Sequence, residues 1–200
     1  MTKRRNAVVA VISAAVLALT GFVSVSAASA ASVQVGVILP DAASSARWET
    51  ADRPFLKAAF KKAGVTVDIQ NANGDKAKFA TIADQMLAKG VKVLIMAGLD
   101  SPSTAAIQAK AAKAGVKTID YDRLTLKGSA SYYVSFDNVA VGKLQGQGIK
   151  ACLDAAGKKT ASIVYLNGSP TDNNATLFKQ GYDSVLRPLI TSKAYTLVDD

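Results

Sequence analysis

The 200-residue chain has no histidine, a single cysteine (Cys152) and a single glutamate (Glu49). Without histidine there is no imidazole general base, no Ser-His-Asp relay and no histidine-bearing zinc site. One cysteine excludes an intramolecular disulfide and any two-cysteine metal site. Paired-carboxylate chemistry would have to rest on aspartates, and no S-x-x-K stretch precedes a helix in a fitting context. The chain reads as a non-enzyme with no cofactor. Hydrophobic residues make up 50% and charged residues 20%, enough apolar surface for a folded chain rather than a disordered one. At roughly 150 residues per domain, the length fits one domain or two small ones.

The longest apolar run lies at the start. Lys3, Arg4 and Arg5 precede an apolar stretch from Ala7 to Val25, and Ala28-Ser29-Ala30 supplies the small residues of a cleavage site. Those small residues, with no basic stop signal after them, favour a cleaved signal peptide over residues 1–30 rather than a spanning helix. No cysteine stands near the cut for lipid attachment. The Arg4-Arg5 pair permits a twin-arginine reading, although nothing downstream strengthens it. Loss of those three positive charges takes the net charge from +9 to +6. The remaining lysines, among them Lys57, Lys61, Lys76, Lys89 and Lys92, are scattered as on a solvated surface, and no nucleic-acid role is expected.

A strand–helix unit then repeats. Val33–Leu39 is an apolar, β-branched run fit for a buried parallel strand. A helical stretch from about Ser45 to Ala63 follows, with Trp48, Phe55, Ala59 and Phe60 at helical spacing and a start or kink at Pro54. Val65–Gln70, Val91–Ala97 and Val116–Tyr121 read as strands, and 76–89 and 103–114 as helices. Gly64, Gly90 and Gly115 close the helices and fall 26 and 25 residues apart, one βα unit each. This alternation predicts a parallel sheet covered on both faces. Beyond Asp122 come a strand at Tyr132–Phe136, a helix at 138–156, a strand at Ala161–Leu166, a helix at 174–189 ending near Pro188, and a strand at Ala194–Val198. Two strands and two helices make a poor independent domain, because the small sheet keeps an open edge.

In open α/β sheets ligands bind beyond the carboxyl ends of the strands. The loops there carry uneven chemistry. Residues 98–103 read as a plain turn and cap, with Ser101 or Ser103 as the capping residue. Residues 71–75 read as a turn. Arg47-Trp48 sets guanidinium donors beside the only tryptophan; the bland alternative is a tryptophan in the core and an arginine on the surface. Asp122-Arg123 joins an acceptor to a donor directly after a strand, where a local surface ion pair is the alternative. Asp172 and Asn174 follow the first strand of the second unit, and Asp172 can equally be a helix cap. Together these groups suit a polyhydroxylated ring: aspartate accepts, arginine donates, asparagine does both, and an aromatic plate covers the ring's C–H face. The first loop, residues 39–44, has no glycine-rich phosphate fingerprint.

At these residues the chain resembles the substrate-binding proteins of bacterial sugar ABC transporters, the xylose-binding members most of all. The matching stretches are VGVILPD with ARW, IDYDR, YYVSFDN, VGKLQGQ and LNGSPTDNNATLFKQG, in order from about Val33 to Leu189. The resemblance implies a type I periplasmic-binding-protein fold of class α/β. Residues 31–137 would form a Rossmann-like parallel-sheet lobe and residues 138–200 the incomplete beginning of a second. It implies that Arg47 hydrogen-bonds sugar hydroxyls beside a Trp48 wall, that Asp122 and Arg123 come from the first lobe, and that Asp172 and Asn174 come from the second. Asn138 would shape the hinge. The implied partners are a monosaccharide such as D-xylose and an ABC transporter permease, for an exported, monomeric protein of the periplasm or outer cell envelope. Ribose or another small polar ligand, and a truncated fragment that binds weakly or not at all, stay open as alternatives.

Overall fold

The structure, a computed structural model, describes residues 33–200. The expected signal peptide lies outside the described residues. Residues 31–200 form one compact unit containing two parallel sheets. The first has five strands in the order β2-β1-β3-β4-β5: β1 Val35–Leu39, β2 Val67–Asn71, β3 Val93–Met96, β4 Lys117–Tyr121 and β5 Tyr132–Val134. Its helices are α1 Arg53–Lys62, α2 Lys76–Ala88 and α3 Ser101–Lys113. The second sheet pairs β6 Ala161–Val164 with β7 Tyr195–Asp199. It is served by α4 Asn138–Ala155 and α5 Asn173–Thr191.

Alternation along β1 divides the core into two layers. Val35, Val37 and Leu39 pack with Trp48, Leu56 and Phe60 on the α1 side. Ile38 packs with Phe79, Ile82, Met86 and Ile107 from α2 and α3. Burying each such side chain contributes ~1.5–3 kcal/mol, so the sheet is fixed from both faces. Because β1 is flanked by β2 and β3, the chain reverses its winding direction there. The crevice at the carboxyl ends of β1 and β3 is therefore the switch point of the sheet.

Local differences from the sequence reading have local causes. The stretch before Pro54 is a π-helical turn over Trp48–Asp52 that runs into α1, and Pro54 sits in the first turn of α1, where a missing N–H costs least. Phe55 is exposed, because α1 turns Leu56 and Phe60 inward instead. The cap of α3 is Asp100, not a serine: its carboxylate accepts from Ser103 N at 2.8 Å, while Ser101 Oγ accepts from Leu126 N. β5 stops at Val134, and Ser135 Oγ turns to donate to the Asp122 carbonyl. Helix α5 passes through Pro188 to Thr191, since so late a proline removes only one hydrogen bond. Gly64, Gly90 and Gly115 all sit at positive φ, as their closing role requires.

Helices α4 and α5 meet at glycines. A Cβ on Gly142 would lie 2.1 Å from the Phe178 carbonyl oxygen, and one on Gly181 would lie 2.2 Å from that of Val139. The two backbones touch, and their first turns start together just past β4, where Asn138 donates to Asn174 and Asn174 donates to the Asp122 carbonyl.

Candidate functional site

The site grows from three chain segments. The loop after β1 is shaped by Asp41, buried, which accepts from Ser44 N and Ser44 Oγ. That turn delivers Arg47. Asp122 follows β4 with φ 66°, a left-handed conformation that aspartate tolerates better than most residues. Its backbone is held firmly: its N–H donates to Val134 O, and its carbonyl accepts from Tyr133 Oη, Ser135 Oγ and Asn174 Nδ2. Asn174 is placed by α5, whose cap Asp172 accepts from Asn174 N at 2.9 Å.

These groups converge. Arg47 Nη2 donates to Asp122 Oδ2 at 2.8 Å, and Asn174 Nδ2 reaches Asp122 Oδ1 at 3.2 Å. Asn138 Nδ2 donates to Asn174 Oδ1 at 2.9 Å, so Asn138 joins the same network rather than standing apart from it. Asp122 and Arg123 do not pair with each other. The left-handed turn sends them apart: Asp122 goes to Arg47, and Arg123 goes to the cap of α5. Arg123 Nε lies 3.1 Å from Asp172 Oδ2, an ion pair without hydrogen-bond alignment, and Arg123 Nη1 donates to Gly98 O. Asp172 is thus both a helix cap and a charge partner. Thr171 Oγ1 donating to Leu99 O adds a further tie between the two sheets.

Trp48 departs from its expected role. It is only 3% exposed and belongs to the core cluster of β1, so its ring offers no open wall to a ligand. The Arg47 guanidinium stacks 4.2 Å from its ring centroid, with Arg123 at 5.7 Å and Tyr121 edge-on at 6.5 Å. Its indole N–H is buried without an acceptor. The aromatic groups that border the open space beside Arg47 are Tyr121 and Phe136. With Arg47, Asp122, Val134 and Ser135 they line a cavity of about 240 Å³.

Sequence reading missed Asp52. It is buried, accepts from Arg47 Nε at 2.9 Å and Nη2 at 3.3 Å, and accepts from Tyr121 Oη at 2.5 Å. The Tyr121 phenol is pushed up to about 12, by burial first and then by that hydrogen bond. Burial opposes the Arg47 charge, but Asp52 and Asp122 outweigh it and hold its pKa above the usual arginine value. Phe136 was also missed, because its position just past a short strand gives no periodic signal. Among the described residues no group of three His, Cys, Asp or Glu could hold a metal ion.

A doubly wound α/β sheet with donors and acceptors gathered at its switch point defines the class of α/β ligand-binding proteins. The chain belongs to the periplasmic binding protein family, and residues 35–200 match its domain. It is 34% identical over 191 residues to the D-xylose-binding periplasmic protein of Haemophilus influenzae, covering 94% of this chain and 55% of that protein. It is 39% identical over 160 residues to a multiple sugar-binding periplasmic receptor of Rhizobium radiobacter, covering 79% and 45%. Among solved structures, a carbohydrate transporter solute binding protein from Chloroflexus aurantiacus in complex with D-glucose is 36% identical, with a TM-score of 0.73 over 82% of this chain and 47% of that one. One from Clostridium phytofermentans with bound β-D-glucose is 32% identical, with a TM-score of 0.75 over 82% and 51%. The chain spans about half the length of the curated relatives it matches. Among the described residues no helix is long and apolar enough to cross a membrane.

Proposed function

We propose that this protein is an extracytoplasmic receptor that takes up a monosaccharide between two lobes, residues 31–137 and 138–200, and presents it to the permease of an ABC transporter. D-Xylose is the leading candidate ligand. The single observation that carries the reading is the meeting of Arg47, Asp122 and Asn174, from three separate segments, at the carboxyl ends of the strands. In the free protein these groups satisfy one another. A sugar ring offers hydroxyls that both donate and accept, so it can replace those hydrogen bonds without leaving a donor or an acceptor unpaired. Arg123 and Asp172 brace the same junction, and Trp48 supports Arg47 from beneath.

A second reading, a receptor for several sugars, is favoured by the 39% identity to a multiple sugar-binding receptor and by two glucose-bound neighbours above 30% identity. Both readings meet one experiment. Isotope-labelled protein is titrated with D-xylose, D-ribose, L-arabinose and D-glucose while amide resonances are followed. Shifts confined to residues around Arg47, Asp122 and Asn174 are expected, with xylose alone or several sugars producing them according to the reading. Sugar-induced shifts that avoid those residues, or none with any sugar, would overturn both.

A further inference from the structure

Arg47 and Asp52 are five residues apart. On an α-helix that spacing turns two side chains about 140° away from each other. Here the intervening segment is a π-helical turn, closed by the Arg53 N–H donating to the Trp48 carbonyl five residues back. The wider turn narrows that angle and brings positions five apart closer together. Asp52 therefore lies beneath Arg47 and takes two of its donors, at 2.9 and 3.3 Å. Tyr121 Oη fixes the same carboxylate from β4. With the Trp48 ring 4.2 Å below, the guanidinium is held by one edge and one face. Its Nη2 is left aimed at Asp122. Asp52 itself is buried and does not line the cavity beside Arg47.

We propose that Asp52, presented by this π-helical turn and backed by Tyr121, is a positioning residue that orders Arg47 for the sugar before it arrives. The proposal rests on the reading of Arg47 as a sugar-binding group. A free arginine side chain must give up many rotamers on binding, and Asp52 removes that cost in advance. Asp52→Asn keeps the shape and removes the charge, so Arg47 loses its bidentate partner while the rest of the cavity stays.

The test compares the parent protein with Asp52→Asn and Tyr121→Phe by two readouts. The first is hydrogen exchange at Arg47 Nε in the sugar-free protein, by nuclear magnetic resonance. The second is D-xylose affinity from amide shifts. Asp52→Asn is expected to speed Arg47 Nε–H exchange and to weaken xylose by about tenfold, with the α1 amides unmoved. Tyr121→Phe should move both readouts the same way by a smaller step, and it carries the test should Asp52→Asn fail to fold. If Arg47 stays as protected in the variants as in the parent, the positioning role is wrong whatever the sugar does. If Arg47 loosens and xylose binds unchanged, Asp52 orders Arg47 but Arg47 is not the sugar-binding group, and the proposed site falls instead.

Discussion

Replacing Gly181 by alanine tests the packing that holds the second half of the site. A Cβ there would lie 2.2 Å from the Val139 oxygen, 2.6 Å from Lys143 N and 2.7 Å from Gly142 Cα. All three are backbone atoms and none can swing aside. Ordinary carbon contacts need at least ~3.5 Å, so α4 and α5 must separate by about 1 Å. Overpacking of this kind costs ~1–3 kcal/mol, and rigid backbone on both sides places the cost near the top of that range. The better helix propensity of alanine returns ~1 kcal/mol, leaving a net loss of about 2 kcal/mol. For a unit of this size that lowers the melting midpoint by roughly 4–8 °C. Gly148, on the same α4, is the internal control: a Cβ there meets nothing within 4 Å. Gly148→Ala should hold or raise the midpoint. Thermal and urea unfolding of the two variants beside the parent measures the contrast. If Gly181→Ala proves as stable as Gly148→Ala, the close approach of these helices is wrong. So is the packing that sets Asn138 beside Asn174.

Asp122→Ala should weaken monosaccharide binding by ~1–3 kcal/mol through loss of a charged acceptor at the site, read as loss of the xylose-induced amide shifts; unchanged shifts would refute the assignment. The cavity beside Arg47 opens to solvent and its Phe136 wall is exposed, so hydroxyls on the outer side of a sugar gain little. Calorimetry on the chain should accordingly find a dissociation constant roughly in the millimolar range, and micromolar binding would contradict that. Glu49, the only glutamate, can be titrated without ambiguity by carboxyl carbon resonance. Arg53, at 2.5 Å, holds its pKa below the ordinary glutamate value of 4.5, with Asn71 assisting. Its contribution to stability is full above the unfolded value and is lost as pH falls through the depressed one. Both partners are about one-third exposed, so solvent screening limits that contribution to under ~1 kcal/mol. Arg53→Gln should return the titration towards the ordinary value, and an unmoved midpoint would remove Arg53 as its cause.

Much of the fold was legible because its signals are local. The glycines at 64, 90 and 115 predicted helix ends, and each takes the positive φ that such ends require. The apolar runs predicted strands, and all of the expected strands formed, most with trimmed ends, while β2 and β7 each run one residue further, to Asn71 and Asp199. Capping was partly legible. Asp172 caps α5, as one of its two readings had it, whereas Asp100 rather than a serine caps α3, because a carboxylate accepts more strongly than a hydroxyl from N–H groups at a positive helix end.

The sequence by itself determined the βα rhythm, the strand ends where a ligand would sit, and the identity of Arg47, Asp122, Asp172 and Asn174 as groups of interest. Period, punctuation and residue chemistry are properties of neighbours along the chain. Tertiary structure alone decided who meets whom. Asp122 passes over adjacent Arg123 for Arg47, 75 residues away; Arg123 crosses to Asp172; Trp48 goes under its neighbouring arginine instead of beside a ligand. Nor does an α-helical period show that Asp52 would lie beneath Arg47, since a π-helical turn obeys a different one. Charge partners are chosen by distance and burial in three dimensions, which sheet order and one left-handed residue at Asp122 set.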